Sequence, residues 1–315
     1  MYSKLKIFTG NANVDLAREV SKYAGIPLGD AEIFKFSNDN SFVKINENVR
    51  GANTFIIQPT CYPVNDNLME LLIMIDALKR ASTKGINCVI PYFAYARSDK
   101  KDQPRVPITA KLVADLLTTA GASRVICMDL HSEQIQGFFN IPVDHLSSMP
   151  LFTRFFKAHL DLGNAVVVSP DTGGTARARL MSEKLNCDLA IGDKRRVSND
   201  SNAEVLNLIG KVEGKTAILF DDIIDTGGSI TKMAKVLIEK GAEKVYAACS
   251  HGILSGRAVE NLEKSPIEML YITDSIPLSE EKKKCDKIQQ ISIAELLAIA
   301  IKKIHNEESL SILFR

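Results

Sequence analysis

The chain has 315 residues, 45% of them hydrophobic and 24% charged, so it can form two ordinary hydrophobic cores and is too apolar to be disordered. Its net charge of +1 argues against a general nucleic-acid binder, and its apolar runs are too short to cross a bilayer. The opening residues form no apolar signal segment, and the six cysteines form no CxxC pair, which fits a reducing compartment. We therefore expect a soluble, cytoplasmic protein with neither nucleic acid nor membrane as a partner.

Strand-like and helical runs alternate along nearly the whole chain. The first strand, at residues 5–8, is followed by a helix whose apolar residues recur at helical spacing until Gly25. Further buried strands are predicted at 54–58, 87–92, 124–128, 165–169, 189–191, 216–220 and 244–249, and further helices around 68–78, at 108–120 and at 229–239. This alternation predicts parallel sheets covered by helices, with ligands bound beyond the carboxyl ends of the strands.

Two segments of the chain share a pattern. Residues 108–125 and 230–245 each begin with Ile-Thr, continue as a predicted helix to Gly-Ala, and end in a predicted strand. The echo favours a duplicated α/β domain, although Gly-Ala is a common helix ending and coincidence stays open. We predict a boundary near residues 147–150, giving domains 1–148 and 149–315. A final helix and tail should follow Ile291 and can pack back on the N-terminal domain.

Residues 219–229, LFDDIIDTGGS, combine acids with a glycine-rich turn that opens a helix. Backbone N–H groups and the helix dipole at Asp225–Ser229 favour an anion, and glycines at 227 and 228 let the backbone approach it closely. The hydroxyls of Thr226 and Ser229 add donors, while Asp221 and Asp222 can accept from a vicinal diol. A ribose 5-phosphate group satisfies all of these groups. Solvated acids before an ordinary glycine turn are the alternative.

The whole segment resembles the phosphoribosyl-pyrophosphate-binding motif of the phosphoribosyltransferase fold. In order before it come Asp129-Leu130-His131, Pro170-Asp171 followed by two glycines, and Asp193-Lys194-Arg195-Arg196. Together these motifs resemble the ribose-phosphate diphosphokinases over essentially the whole chain. The resemblance implies an α/β fold of two duplicated phosphoribosyltransferase-type domains, each a mainly parallel sheet flanked by helices. It also implies transfer of the diphosphoryl group of ATP to the anomeric hydroxyl of ribose 5-phosphate, with release of AMP.

The resemblance also assigns residues to roles. Lys194 and Arg196 match the catalytic pair, which would offer two cations to the transition state, although a Lys-Arg-Arg run alone is more often a solvated loop. His131 and Asp171 match the Mg²⁺ ligands, although magnesium prefers oxygen and a lone histidine is more often structural. The residues matching the sugar-phosphate site are Arg196, Asp221, Asp222, Asp225, Thr226, Gly227, Gly228 and Ser229, with Asp222 completing the hydroxyl contacts or a metal's water shell.

The nucleotide side departs from the family pattern. Phe36 can stack on a base, and Arg97 and Lys101 can meet the nucleotide. Three residues replace those that read adenine in the family: Asn38, Asn40 and Ser98. Amides both donate and accept, unlike the carboxylates they replace, so we expect weaker base selectivity. Asn48 stands where a regulatory serine is frequent, beside Arg50, so the response to phosphate and ADP can differ.

Three functions remain open from the sequence. The first is an active ribose-phosphate diphosphokinase. Enzymes of that family commonly form hexamers, in which the loop that carries Phe36 here reaches a neighbouring subunit. The second is a non-catalytic paralogue that binds nucleotide or sugar phosphate and regulates a partner synthetase. A salvage phosphoribosyltransferase is the weakest, because those enzymes usually have one such domain. The retained motifs favour the active enzyme.

Overall fold

The computed structural model describes residues 4–196 and 204–314, without the side chains of 194–196, 204–206 and 314. The chain divides into two compact units: Met1–Ser147 with Ser275–Pro277 and Ser292–Arg315, and Ser148–Asp274 with Leu278–Ile291. The main division lies one residue from the boundary predicted between 148 and 149. Residues 292–315 belong to the first unit, which is where a final helix and tail that pack back on the N-terminal domain would lie.

The described residues form strands and helices in alternation. The strands are β1 Leu5–Thr9, β2 Ala31–Lys35, β3 Ser41–Ile45, β4 Asn53–Ile57, β5 Gly85–Ile90, β6 Arg124–Met128, β7 Val143–Leu146, β8 Ala165–Ser169, β9 Asp188–Arg196, β10 Glu204–Ile209, β11 Thr216–Ile224, β12 Lys244–Gly252, β13 Ile267–Thr273 and β14 Ile288–Ile291. The α-helices are α1 Val14–Ala24, α2 Val64–Arg80, α3 Thr109–Ala120, α4 Met149–His159, α5 Thr175–Leu185, α6 Gly228–Glu239, α7 Ala258–Glu263 and α8 Ala294–His305.

The first unit contains a five-stranded sheet in the order β1-β4-β5-β6-β7, with every neighbouring pair parallel. Strands β2 and β3 form a separate antiparallel hairpin that packs against α2. Helix α1 begins where the Asn13 side chain accepts from the Leu16 N–H at 3.2 Å, and ends at Gly25 in the left-handed conformation. Helix α8 packs against α1, which explains why the C-terminal residues belong to this unit.

The second unit contains a seven-stranded sheet in the order β10-β9-β8-β11-β12-β13-β14. Only the β9–β10 pair is antiparallel among its described strands. All five residues of β8 are buried, as expected for a central parallel strand covered on both faces. Helices α5 and α6 both pack against β11, so their first turns lie near its carboxyl end.

The fold class predicted from the alternation is confirmed, but several boundaries were wrong. Strand β11 continues to Ile224 rather than ending at residue 220, because Asp221 and Ile223 still pair with β12. Strand β9 extends to Arg196 rather than ending at 191, because β10 pairs with it along its length. The β2–β3 hairpin and strands β7, β10, β13 and β14 were missed. In the described part of the chain, no helix is long and apolar enough to cross a membrane.

Candidate functional site

The segment 225–229 joins the end of β11 to the start of α6. Gly227 has φ 73° and precedes the first residue of the helix, so this turn uses a conformation that glycine adopts without strain. Its carbonyl accepts from the Thr231 hydroxyl at 2.9 Å. Thr226 and Ser229 are exposed, while Gly227 is buried. The result is a fixed helix N-terminus that presents backbone N–H groups and two hydroxyls, an arrangement suited to a phosphate.

The backbone around Asp225 is held by the segment after β12. The Ser255 hydroxyl donates to Asp225 Oδ1, and the Ser255 N–H donates to the Asp225 carbonyl at 3.0 Å. The amide of Asn261 donates to the Thr226 carbonyl at 3.2 Å. These contacts fix the backbone of the loop. The sequence offered no signal for Ser255 or Asn261, because their nearness to the loop depends on the chain returning through β12.

Asp221 and Asp222, at the end of β11, share one cation. Arg177 Nη1, from the first turn of α5, lies 3.1 Å from Asp221 Oδ1 and 3.0 Å from Asp222 Oδ1. Burial, followed by the neighbouring Asp222, raises the pKa of Asp221 to about 7, while the Arg177 charge acts in the lowering direction. Sequence reasoning missed Arg177. The one feature that could have pointed to Arg177 is its position, as a basic residue in the first turn of a helix where that turn has no acidic residue.

Asp171 is exposed in the loop between β8 and α5. Its Oδ1 accepts from the Gly174 N–H at 3.1 Å, and its carbonyl accepts from the Ser169 hydroxyl at 2.6 Å. A Cβ added at Gly174 would lie 2.8 Å from Ser169 Oγ, so the glycine permits this tight turn. A neighbouring contact comes from β9, where Gly192 packs closely on the Pro170 carbonyl. The loop is therefore built to hold one carboxylate at a strand end.

Lys194 and Arg196 lie on β9, with their backbones in register with Leu206 and Glu204 of β10. Their side chains lie outside the described residues. The prediction of a catalytic pair therefore stays a prediction. The backbone places both residues a short distance along the same strand from Gly192, which packs on the Asp171 loop.

His131 lies just beyond β6 in the first unit. The preceding Asp129 has φ 37°, and the Leu130 N–H donates to Nε2 of His145 at 2.8 Å, so the chain turns sharply there and leaves His131 exposed. His131 and Asp171 belong to different units, and their predicted joint role is not tested. Among the described residues there is no group of three or more His, Cys, Asp or Glu side chains placed to hold a metal.

The nucleotide-side residues of the hairpin lie on the turn between β2 and β3. Phe36 is 49% exposed and packs edge-on against Phe34, with ring centroids 5.1 Å apart, so one ring of a small aromatic cluster remains open for stacking. Asn38 Oδ1 accepts from the Asn40 N–H at 3.2 Å and is therefore used within the turn. Asp39 adopts φ 68°, and Lys35 binds both its carboxylate and that of Asp66 on α2.

The other nucleotide-side residues follow β5. Arg97 and Lys101 are exposed, and the Ser98 N–H donates to the Tyr95 carbonyl at 2.8 Å. Tyr95 has φ 62°, and its hydroxyl donates to Asn65. A cleft of about 520 Å³ lies beside this turn, with a lining that includes Tyr62, Asn65, Tyr92 and Tyr95. The turn therefore presents a cation beside an aromatic cleft.

Comparison with known proteins gives two family matches. The model described as the N-terminal domain of ribose phosphate pyrophosphokinase matches residues 5–121, and the phosphoribosyl synthetase-associated domain matches residues 196–315. Ribose-phosphate pyrophosphokinase from Fusobacterium nucleatum is 53% identical over 314 residues, which cover 99% of both chains. That from Caldanaerobacter subterraneus subsp. tengcongensis is 56% identical over 313 residues, covering 99% of this chain and 98% of its own.

Solved structures agree with the sequence matches. The crystal structure of phosphoribosylpyrophosphate synthetase from Mycobacterium smegmatis superimposes with a TM-score of 0.92 at 40% identity. The alignment covers 97% of this chain and all of that one, so the likeness extends over both α/β units. With family models at both ends, full-length relatives above 50% identity and the same fold throughout, the chain belongs to the ribose-phosphate pyrophosphokinase family of enzymes.

Proposed function

We propose that the chain carries out its family's reaction with a magnesium complex of ATP as donor. In that reaction the anomeric hydroxyl of ribose 5-phosphate attacks the β-phosphorus of ATP. A new oxygen–phosphorus bond forms to the sugar, the bond between the α- and β-phosphoryl groups breaks, and AMP leaves. The hydroxyl proton is lost to solvent or a base. Catalysis of this kind is mostly positioning and neutralisation of charge, because phosphoryl transfer needs little covalent help.

The observation that carries the proposal is the loop at the end of β11. Gly227 in the left-handed conformation opens α6, and the exposed hydroxyls of Thr226 and Ser229 flank it. We assign the 5-phosphate to this helix N-terminus. Asp221 and Asp225 precede the turn and supply acceptors for the ribose hydroxyls. A phosphate at one end and hydroxyls at the other describe ribose 5-phosphate rather than a free anion.

Magnesium fits the exposed carboxylate of Asp171 better than it fits His131. Mg²⁺ prefers oxygen ligands and is usually held by one or two carboxylates together with substrate phosphates. Asp171 supplies such an oxygen at a strand end, where its loop is fixed by the Gly174 N–H. The imidazole of His131 is exposed and would need to serve through a nitrogen or a bound water. When bound, the metal would neutralise charge on the diphosphoryl group.

The remaining assignments concern the cations and the nucleotide. We assign Lys194 and Arg196 to the diphosphoryl group in the transition state, supported by their place on β9 beside the Asp171 loop. Phe36 is assigned to stacking on the base, and Arg97 and Lys101 to the nucleotide, supported by their exposure. Assembly as a hexamer and a cytoplasmic location are proposed by analogy with the family alone.

The test is AMP formation that depends on ribose 5-phosphate and Mg²⁺, measured on purified protein with ATP, GTP, CTP and UTP in turn. We expect turnover with ATP. The regulatory paralogue predicts binding of ribose 5-phosphate without turnover with any of the four. A matched control is the Thr226→Ala, Ser229→Ala double variant, which removes two of the assigned hydroxyl donors. It should raise the Michaelis constant for ribose 5-phosphate and leave that for ATP unchanged.

A further inference from the structure

Arg177 is a cation at the end of a helix where the helix dipole favours an anion. It lies in the first turn of α5, and that turn contains no acidic residue. A cation near a helix N-terminus is unfavourable, because the helix dipole is positive there. Gly174 caps this end, and a Cβ added there would lie 3.9 Å from Asp221 Oδ1. The helix end thus approaches the β11 carboxylates closely, and the cost of the arginine there needs a compensating partner.

That partner is the pair of neighbouring acids on β11. A single nitrogen, Nη1, lies 3.1 Å from Asp221 Oδ1 and 3.0 Å from Asp222 Oδ1. Asp222 is 4% exposed, and a carboxylate this deeply buried is costly unless a cation and hydrogen bonds accompany it. Asp221 Oδ1 also accepts from the Asp222 N–H at 2.9 Å. Arg177 Nη1 and the Asp222 N–H thus both donate to Oδ1 of Asp221, and its Oδ2 is the oxygen that we assign to substrate.

We propose that Arg177 is a positioning residue for ribose 5-phosphate, which holds Asp221 against the buried Asp222 and so fixes Asp221 as an acceptor for the ribose hydroxyls. The inference rests on the proposed function of this loop. Arg177 does not touch the reacting atoms; it acts through the two carboxylates. It fixes the positions of the two carboxylates relative to each other. It also offsets their two negative charges, which would otherwise repel the phosphates of the substrates.

The electrostatics of the pair support the same role. The groups that act on the pKa of Asp221 are Asp222 beside it on β11 and Arg177 on α5. The thiol of Cys249 on β12 is buried nearby, and Asp221 contributes to raising the pKa of that thiol. Burial and Asp222 raise the pKa of Asp221, whereas Arg177 lowers it. Without the guanidinium, Asp221 would hold its proton to higher pH. A protonated carboxyl is a poorer acceptor, so binding of the sugar hydroxyls would weaken as the pH falls.

The test compares Arg177→Gln with Arg179→Gln. Arg179 is an exposed arginine two residues further along the same helix and serves as a matched control. For R177Q we expect a Michaelis constant for ribose 5-phosphate raised about tenfold and a kcat changed little. We also expect the acidic limb of kcat/KM to move up by about one pH unit, since an opposite charge at this distance lowers a carboxyl pKa by roughly 1–3 units. R179Q should match the wild type in all three.

An unchanged acidic limb in R177Q, or the same shift in R179Q, would overturn the proposal. The second phosphate ionisation of the sugar contributes equally to every variant and so cancels in the comparison. Arg177→Lys keeps the charge on a shorter chain, which should lengthen the contacts to both carboxylates. The acidic limb of kcat/KM should then stay near that of the wild type, while the Michaelis constant for ribose 5-phosphate rises at least threefold. A wild-type Michaelis constant in R177K would contradict the double contact, even if R177Q does not fold. Lack of activity in the wild type would instead refute the proposed function.

Discussion

Gly192→Ala is expected to disturb the Asp171 loop through a single methyl group. Gly192 is buried on β9, and an added Cβ would lie 2.6 Å from the Pro170 carbonyl oxygen and closer still to Cε of Met233. The tip of Met233 is flexible and can move. The Pro170 carbonyl is backbone and cannot move alone, because the Ser169 hydroxyl and Gly174 N–H hold the adjacent Asp171.

The magnitude follows from that overlap. Ordinary non-bonded atoms sit at roughly 3.5 Å, so the carbonyl contact is short by almost 1 Å. Overpacking of this kind typically costs about 1–3 kcal/mol. At roughly 2–4 °C for each kcal/mol in a domain of this size, we expect the Tm to fall by about 2–12 °C. We also expect the Mg²⁺ concentration that gives half-maximal activity to rise, because the displaced loop carries Asp171.

Gly137→Ala is the control. Gly137 is exposed, has no positive φ, and a Cβ added there would meet nothing within 4 Å. We expect this variant to have the wild-type Tm in thermal unfolding. We also expect the wild-type Mg²⁺ concentration for half-maximal activity when AMP formation is titrated with Mg²⁺. If G192A unfolded at the same temperature as G137A, the close approach of β9 to the Pro170 loop would be refuted. A lowered Tm with an unchanged Mg²⁺ requirement would contradict the assignment of Asp171 to the metal.

Other predictions concern charge and base recognition. Asp221→Asn should raise the free energy of unfolding by about 1–3 kcal/mol at pH 8 and much less at pH 4. The reason is that a folded-state pKa of about 7, above the unfolded value, makes the ionised carboxylate a cost that grows as the pH rises through that window. Urea unfolding at both pH values checks this, and equal effects at pH 4 and 8 would count against it. Lys194→Ala and Arg196→Ala should each lower kcat by roughly 100-fold, about 3 kcal/mol, with little change in ribose 5-phosphate binding; a raised Michaelis constant as the only defect would contradict the assignment. Asn38→Asp combined with Asn40→Glu should increase the preference for ATP over GTP about tenfold in competition kinetics, because a carboxylate only accepts. Unaltered selectivity would show that these side chains do not read the base.

Much of the fold was predictable because its strands are short buried runs. The predicted strands at 124–128 and 165–169 match β6 and β8 residue for residue. Prediction failed where pairing rather than composition decides the element. Strand β9 carries four charged residues in its last half and would not be expected to be a strand, yet β10 pairs with it to Arg196. The β2–β3 hairpin was missed because none of the residues in its strands is fully buried and the strands lack the uninterrupted apolar run of the central strands.

The sequence by itself determined the sugar-phosphate loop. Asp221 to Ser229 are contiguous, and local rules place a glycine-rich turn at a helix N-terminus without knowledge of the rest of the chain. Only the tertiary structure decided what surrounds that loop. Ser255 and Arg177 contact Asp225 and Asp221 although they lie 30 and 44 residues away in sequence. They become neighbours because β8, β11 and β12 lie side by side and parallel in one sheet. Such contacts carry no local signal, since the pairing of strands brings them together.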